Sequence, residues 1–142
     1  MVEINNLTSY PVNKNFLKKI AREILRKEKR KNLELSIAFV NKKKIKELNR
    51  KYRGKNIATD VLAFPELELP KTKVKNFFGE IIICPQEVKK NSEIFKTNFR
   101  KETINCLIHG ILHILGYDHE GYLKEAKIMD KKQKYYFSKI FN

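Results

Sequence analysis

The histidines of this chain form one cluster. All three lie within eleven residues, as His109, His113 and His119. On a helix, residues four apart lie on nearly the same face, about 6 Å apart along the axis, so the first two can direct their imidazoles at one ion. Gly116 then permits the helix to end and the chain to reverse. The spacing therefore predicts a metal site on a helix, to which His119 returns as the third ligand.

Three imidazole ligands leave one coordination position for an exchangeable water, which is typical of a catalytic rather than a structural zinc. Such an ion lowers the pKa of its water to about 7, so that hydroxide is available at neutral pH. We therefore expect one Zn²⁺ ion and hydrolytic chemistry, although imidazoles also accept nickel and copper. Two other interpretations stay open here: a chance cluster of surface histidines, and a structural site completed by Cys106 or Asp118.

The histidine spacing matches that of the metzincin peptidases, in which two histidines four apart are followed by a third six residues later. Those enzymes carry a glutamate general base directly after the first histidine, where this chain has Gly110. Because glycine cannot transfer a proton, a peptidase would have to recruit another base, such as Asp118. Phosphodiester cleavage depends more on positioning and on neutralising charge around phosphorus, to which a metal and an arginine both contribute.

The charge of the chain favours a polyanionic partner. Its formal net charge is +15, and residues 41–56 carry eight Lys or Arg against the single Glu47. Such an excess attracts nucleic acid, although a lysine-rich composition or a merely solvated basic face would look the same. Arg53 closes this segment, and its guanidinium can bind phosphate in a forked geometry. Lys55 is a second, weaker candidate for the same contact.

Three strands are predicted from the apolar pattern. Residues 33–39 alternate between apolar and polar, 61–64 form a short strand stopped by Pro65, and 79–84 are a continuous apolar run suited to the middle of a sheet. Residues 2–8 can add one more strand. Residues 66–76 show no clean period and are expected to form a loop.

Helices are predicted between and after these strands. Asn13 and Asn41 can each cap an amphipathic helix, and Gly54 would end the second. From Pro85 onward the pattern is helical, with breaks near residues 98, 116 and 121. This order predicts an α+β fold, with a small mixed β-sheet of about four strands, helices packed on it and the metal site on a helix near the C-terminus.

The 142 residues, 42% of them hydrophobic, are expected to form a single domain over 1–142. There is no apolar run of membrane-spanning length and no segment resembling a signal peptide, so we expect a soluble, cytoplasmic protein without a membrane partner. Cys84 and Cys106 each lie inside an apolar stretch, which indicates small buried residues with free thiols.

The run at 109–119, His-Gly-Ile-Leu-His-Ile-Leu-Gly-Tyr-Asp-His, resembles the signature of the YbeY family of bacterial endoribonucleases, with Ile111 at the variable place. Residues 48–55 with 59–65, and then 79–84, resemble two further blocks of that family in the same order. Together the blocks cover much of 45–130. The departures are Ala58 for a frequent proline, Ala63 for a usual serine and Glu80 for a usual aspartate.

This resemblance implies a zinc-dependent, single-strand-specific endoribonuclease that acts in maturation of the 16S rRNA 3′ end and in ribosome quality control. Its partners would then be single-stranded RNA, the 16S rRNA precursor and the small ribosomal subunit. Arg53 would face the metal across a basic cleft, with His113 as part of the catalytic site. The alternatives are a metallopeptidase of metzincin-like type and a non-catalytic, zinc-containing ribosome-assembly factor.

Four further residues, none of them a proposed metal ligand, are given roles here. We expect Asp60 to brace the strand that follows it, Tyr52 to anchor its helix to the core, and Met129 to serve in packing. Asp118 could orient a histidine or act as the general base.

Overall fold

The elements of the computed structural model, which describes residues 1–68, 77–117 and 123–141, follow the predicted order. Within those residues they are the strand β1 (Val2–Asn6), the helix α1 (Lys14–Lys27), β2 (Glu34–Phe39), α2 (Lys42–Arg53), β3 (Val61–Pro65), β4 (Phe77–Ile83), α3 (Pro85–Ile94), α4 (Phe99–Ile114) and α5 (Leu123–Phe141). The predicted break at Gly121 lies outside the described residues. None of the described helices is long and apolar enough to cross a membrane.

Local hydrogen bonds explain where the helices begin. The side-chain oxygens of Asn13, Asn41 and Asn98 accept hydrogen bonds from the third backbone N–H beyond each of them, at 3.1, 2.8 and 2.9 Å. Each of these bonds satisfies a donor that has no partner inside the helix. The predicted helix starts after Asn13 and Asn41, and the predicted break near Asn98, are therefore confirmed.

The strands form one mixed sheet in the order β1-β2-β4-β3. β1, β2 and β4 are parallel, whereas β3 pairs antiparallel with β4. This arrangement confirms the predicted α+β class with a four-stranded mixed sheet. It also makes β3 an edge strand, with one side open.

Several predicted boundaries were wrong by one or two residues: β2 begins at 34 and not 33, and β4 covers Phe77–Ile83 and not 79–84. β3 includes Pro65, which pairs with Gly79, because an edge strand tolerates the missing N–H of proline. β1 ends at Asn6, whose side chain accepts a hydrogen bond from the backbone N–H of Thr8 and turns the chain. The predicted loop begins with a turn of 3₁₀ helix at Glu66–Glu68; its remainder, 69–76, lies outside the described residues.

Helices cover both faces of the sheet. On one face α1 and α4 pack on the sheet in a core that includes Ile37, Ile81 and Ile83. α5 packs on α4, and the predicted packing residue Met129 is fully buried in the same core. On the other face Ile45 of α2 packs with a second cluster that includes Ile82 and Cys84. Because β3 and β4 lie between α2 and α4, side chains of these two helices can come together only around the free edge of β3.

Candidate functional site at the open edge of the sheet

The two histidines of α4 lie side by side. His109 and His113 are both half-buried, their ring centroids are 6.4 Å apart, and the ring planes differ by 17°. One turn of helix separates them, as expected for positions four apart. Two imidazoles held in this way can contribute two ligands to one ion.

α4 ends directly after the second histidine. Gly116 has a φ of 103°, a left-handed conformation that suits glycine, and its N–H donates to the carbonyl of His113 at 3.0 Å. The N–H of Tyr117 donates to the carbonyl of Leu112 at 3.1 Å. These two bonds form a Schellman motif, which ends the helix where Gly116 predicted it.

The predicted third ligand, His119, and Asp118 beside it lie outside the described residues. Within 1–68, 77–117 and 123–141, no three His, Cys, Asp or Glu side chains come together in a group that could hold a metal ion. The described part of the site therefore supplies two imidazole donors. This donor set suits an ion that takes at least one further ligand from elsewhere.

Gly110 faces the sheet. A Cβ at this position would lie 3.0–3.1 Å from three side-chain carbons of Ile81 on β4, closer than ordinary contact distances. The helix that carries the histidines is thus packed on β4 at the residue where metzincins have their glutamate. A glutamate at 110 would fit only if the Ile81 side chain or α4 itself shifted.

Arg53 is the last residue of α2 and reaches around the edge of the sheet. Its Nη2 donates to the carbonyl oxygen of Ala63 on β3 at 2.8 Å and forms an ion pair with Glu68 at 2.6 Å. The guanidinium also lies over the ring of Phe64, 4.8 Å from its centroid. Ala63 departs from the family's usual serine, but it contributes its backbone, so the contact does not depend on that side chain.

Arg53 and the two histidines line one cavity of about 550 Å³, which we call the edge cleft. Lys55 lies on the same cleft, so the structure brings together four of the five predicted site residues. The cleft is lined by Asn49, Arg53, Lys55, Ile57, Ala58, Thr59, Val61, Leu62, Ala63, His109 and His113.

Tyr52, the residue before Arg53, points into the core. Its ring packs edge-on against Phe64 with centroids 5.2 Å apart, so the predicted role as a helix anchor is confirmed. Sequence reasoning gave no role to Asn49, which is buried and donates from Nδ2 to the carbonyl of Ile57 at 3.0 Å. That bond holds the loop after α2 against the edge cleft. A polar residue on the apolar side of α2 was the available signal.

Asp60 connects β3 with α3 and α4. Its carboxylate accepts hydrogen bonds from Nδ2 of Asn91 at 3.2 Å and from the thiol of Cys106 at 3.5 Å. These contacts agree with the expected bracing role. Burial, reinforced by the Asp60 charge, raises the pKa of Cys106 well above its usual value. The thiol of Cys106 is thus engaged by Asp60, which argues against a structural four-ligand site completed by Cys106; the version completed by Asp118 lies outside the described residues.

A further residue, also missed from the sequence, contacts His109 from α5. Nδ1 of His109 lies 3.4 Å from Oε1 of Gln133. Gln133 lies in a segment that showed only amphipathic helical patterning, and no spacing rule connects it with a residue 24 positions earlier.

A model of the family described as endoribonuclease YbeY matches residues 3–141. The chain belongs to the YbeY endoribonuclease family. The family resemblance found in three blocks of the sequence is thereby confirmed, and it extends over nearly the whole chain. As endoribonucleases, YbeY proteins are hydrolases that cleave phosphodiester bonds within RNA.

Individual YbeY proteins support this assignment. The chain is 43% identical to endoribonuclease YbeY of Thermotoga neapolitana over 84% of this chain and 75% of that protein. It is 41% identical to endoribonuclease YbeY of Persephonella marina, over 91% and 84%. A solution structure of a Thermotoga maritima protein is similar with a TM-score of 0.72 and 38% identity, and covers 99% of this chain and 89% of that one.

Proposed function

We propose that this YbeY-family chain is a zinc-dependent endoribonuclease that cleaves single-stranded RNA during maturation of the 16S rRNA 3′ end and in ribosome quality control. The observation that carries the proposal is the edge cleft, in which Arg53 from α2 meets His109 and His113 from α4. A phosphate-binding group and metal-binding groups thus face one space. The small ribosomal subunit and its precursor RNA are the proposed partners.

His109 and His113 would hold the ion, with His119 as the proposed third ligand. The donor chemistry fits zinc, because both described donors are imidazoles on one face of a helix. When bound there, Zn²⁺ would lower the pKa of a water ligand to about 7 and so provide a nucleophile at neutral pH.

Arg53 would bind the phosphate of the bond that is cleaved. Its contacts with the Ala63 carbonyl and the Phe64 ring hold the guanidinium in place, and Glu68 pairs with its Nη2, so a phosphate would compete with that carboxylate. The ion pair is partly exposed, with 29% and 43% of the two side chains accessible. Such exposed pairs contribute about 0.2–1 kcal/mol, so the release of Glu68 costs little. A phosphate, which can take two parallel hydrogen bonds from the guanidinium, could therefore displace Glu68.

The surface that leads to the edge cleft favours RNA over peptide. The basic residues of 41–56 other than Arg53 are exposed, and α2 delivers Arg53 from this surface into the cleft. A polyanion attracted to α2 would be guided to the site, and its binding should weaken steeply with salt. The contact of Gly110 with Ile81 argues further against a metzincin-like peptidase, since the position of the missing base is closed by packing.

The test is cleavage of an unpaired RNA that carries the 3′ end of a 16S rRNA precursor. We expect cleavage by zinc-loaded protein, none after chelation or in His113→Ala, and a loss in kcat of roughly a hundredfold in Arg53→Ala. Arg22→Ala is the matched control, because it removes one exposed arginine from α1 and leaves the cleft intact. Cleavage that survives both chelation and His113→Ala would refute the proposal. Salt-sensitive binding without cleavage would identify a non-catalytic assembly factor.

A further inference from the structure

Gln133 is fixed in orientation by α4 itself. Its Nε2 donates to Oδ1 of Asn105 at 2.9 Å, so the other atom of the amide, Oε1, is the one directed at His109. Asn105 precedes His109 by one turn of α4. The half-buried amide of Gln133 therefore bridges two successive turns of the helix that carries the histidines.

This orientation determines which nitrogen of His109 carries the proton. Oε1 can only accept a hydrogen bond, and it lies 3.4 Å from Nδ1. In the neutral ring Nδ1 must then be the donor, which leaves the lone pair on Nε2. A metal-binding histidine needs that lone pair directed at the ion, and the partner of its other nitrogen sets the tautomer and the ring orientation.

We propose that Gln133 is a positioning residue, which holds His109 in the Nδ1–H tautomer and so prepares Nε2 for the metal. The proposal deepens the metal site of the proposed function and rests on it. The contact of 3.4 Å is long for a hydrogen bond, and we expect it to shorten when the ring is held by an ion.

The first measurement uses neither metal nor RNA. Long-range ¹H–¹⁵N spectra of the apoprotein at a pH where the ring is neutral report the tautomer of each histidine. We expect a predominant Nδ1–H form for His109 in the wild type and a shift toward Nε2–H in Gln133→Met. An unchanged tautomer in Gln133→Met would overturn the proposal.

The second measurement is the affinity for Zn²⁺, determined by competition with a chromophoric chelator. Loss of such an outer partner weakens metal binding about ten- to a hundredfold, and we expect this for Gln133→Met. Gln133→Glu keeps an acceptor for Nδ1–H but loses the donor to Asn105, so it should retain wild-type affinity within a few fold. Gln86→Met is the matched control, since Gln86 is exposed on α3.

The two variants separate positioning from simple docking of α5. If Gln133 only held α5 against α4, Gln133→Glu and Gln133→Met would lose equal affinity, and that result would overturn the proposal. Thermal melts of both apoproteins show whether each variant is folded. Wild-type protein that binds zinc with this variant pattern but does not cleave RNA would contradict the proposed function and leave the role of Gln133 standing.

Discussion

Replacing Gly110 by alanine tests whether α4 is pressed against the sheet at the site. The added Cβ would lie 3.0 Å from Cδ1 and Cγ2 of Ile81 and 3.1 Å from its Cγ1, and both residues are buried. Overpacking of this kind costs about 1–3 kcal/mol. Alanine also stabilises a helix interior by about 1 kcal/mol relative to glycine. We therefore expect a net loss of about 1 kcal/mol in the free energy of unfolding, or about 4 °C in Tm.

A double-mutant cycle measured by urea unfolding isolates the contact. Ile81→Val removes Cδ1, one of the two carbons at 3.0 Å, and costs about 0.5–1.5 kcal/mol in the wild type. In the Gly110→Ala background it should cost at least about 0.5 kcal/mol less, because it relieves the overlap. Ile4→Val is the control. Ile4 is also buried, but it lies on β1, which β2 separates from β4, so its cost should be the same in both backgrounds.

Two results would refute this reasoning. Gly110→Ala could stabilise the protein by the full helix-propensity gain of about 1 kcal/mol. Alternatively, Ile81→Val could cost the same free energy in both backgrounds, as is expected of Ile4→Val. Either result would mean that α4 has room for a side chain at 110. Packing against β4 would then not explain why this position lacks the glutamate of the metzincins.

Three further predictions concern the site and the core. Glu68→Gln should tighten RNA binding by up to about fivefold, since it frees Arg53 for phosphate. Fluorescence anisotropy measures the RNA affinity. The same gain in affinity from Glu68→Gln in an Arg53→Ala background would contradict the prediction. Burial raises the pKa of both Cys84 and Cys106, so neither thiol should react with iodoacetamide at pH 8 until the protein unfolds. Labelling of either cysteine in the native protein, detected by mass spectrometry, would contradict this prediction. Burial raises the pKa of Tyr136 from 10.0 to about 12, so the unfolded chain loses this proton first and the free energy of unfolding should fall between those pH values. Tyr136→Phe should lack that part of the pH dependence in urea melts.

Much of the local structure could be predicted from the sequence, because it depends on residues close together in the chain. Asn13 and Asn41 cap helices through backbone groups three residues away. Gly116 ends α4 through bonds that span at most five residues. The placement of His109 and His113 on one helix face also follows from spacing alone, since the geometry of a single helix decides it.

Other features depended on contacts between distant parts of the chain. Pro65 was expected to stop β3, but the strand lies at an edge, where a missing N–H costs no sheet hydrogen bond. The sequence showed that Gly110 replaces the catalytic glutamate of the metzincins. The structure adds that Ile81 fills the space that a side chain at 110 would need. The helical pattern around Gln133 did not connect it with the site, because its partner His109 belongs to a different helix.

The sequence by itself determined the identity of the chemical groups: imidazoles at helical spacing, an arginine at the end of a basic segment and the family to which those blocks belong. Only the tertiary structure decided how they meet. α2 and α4 pack on opposite faces of the sheet, and the antiparallel strand β3 forms the edge between them. Since strand order is set by the burial of both faces and not by any local pattern, the edge cleft shared by Arg53 and the histidines exists only once the sheet is assembled.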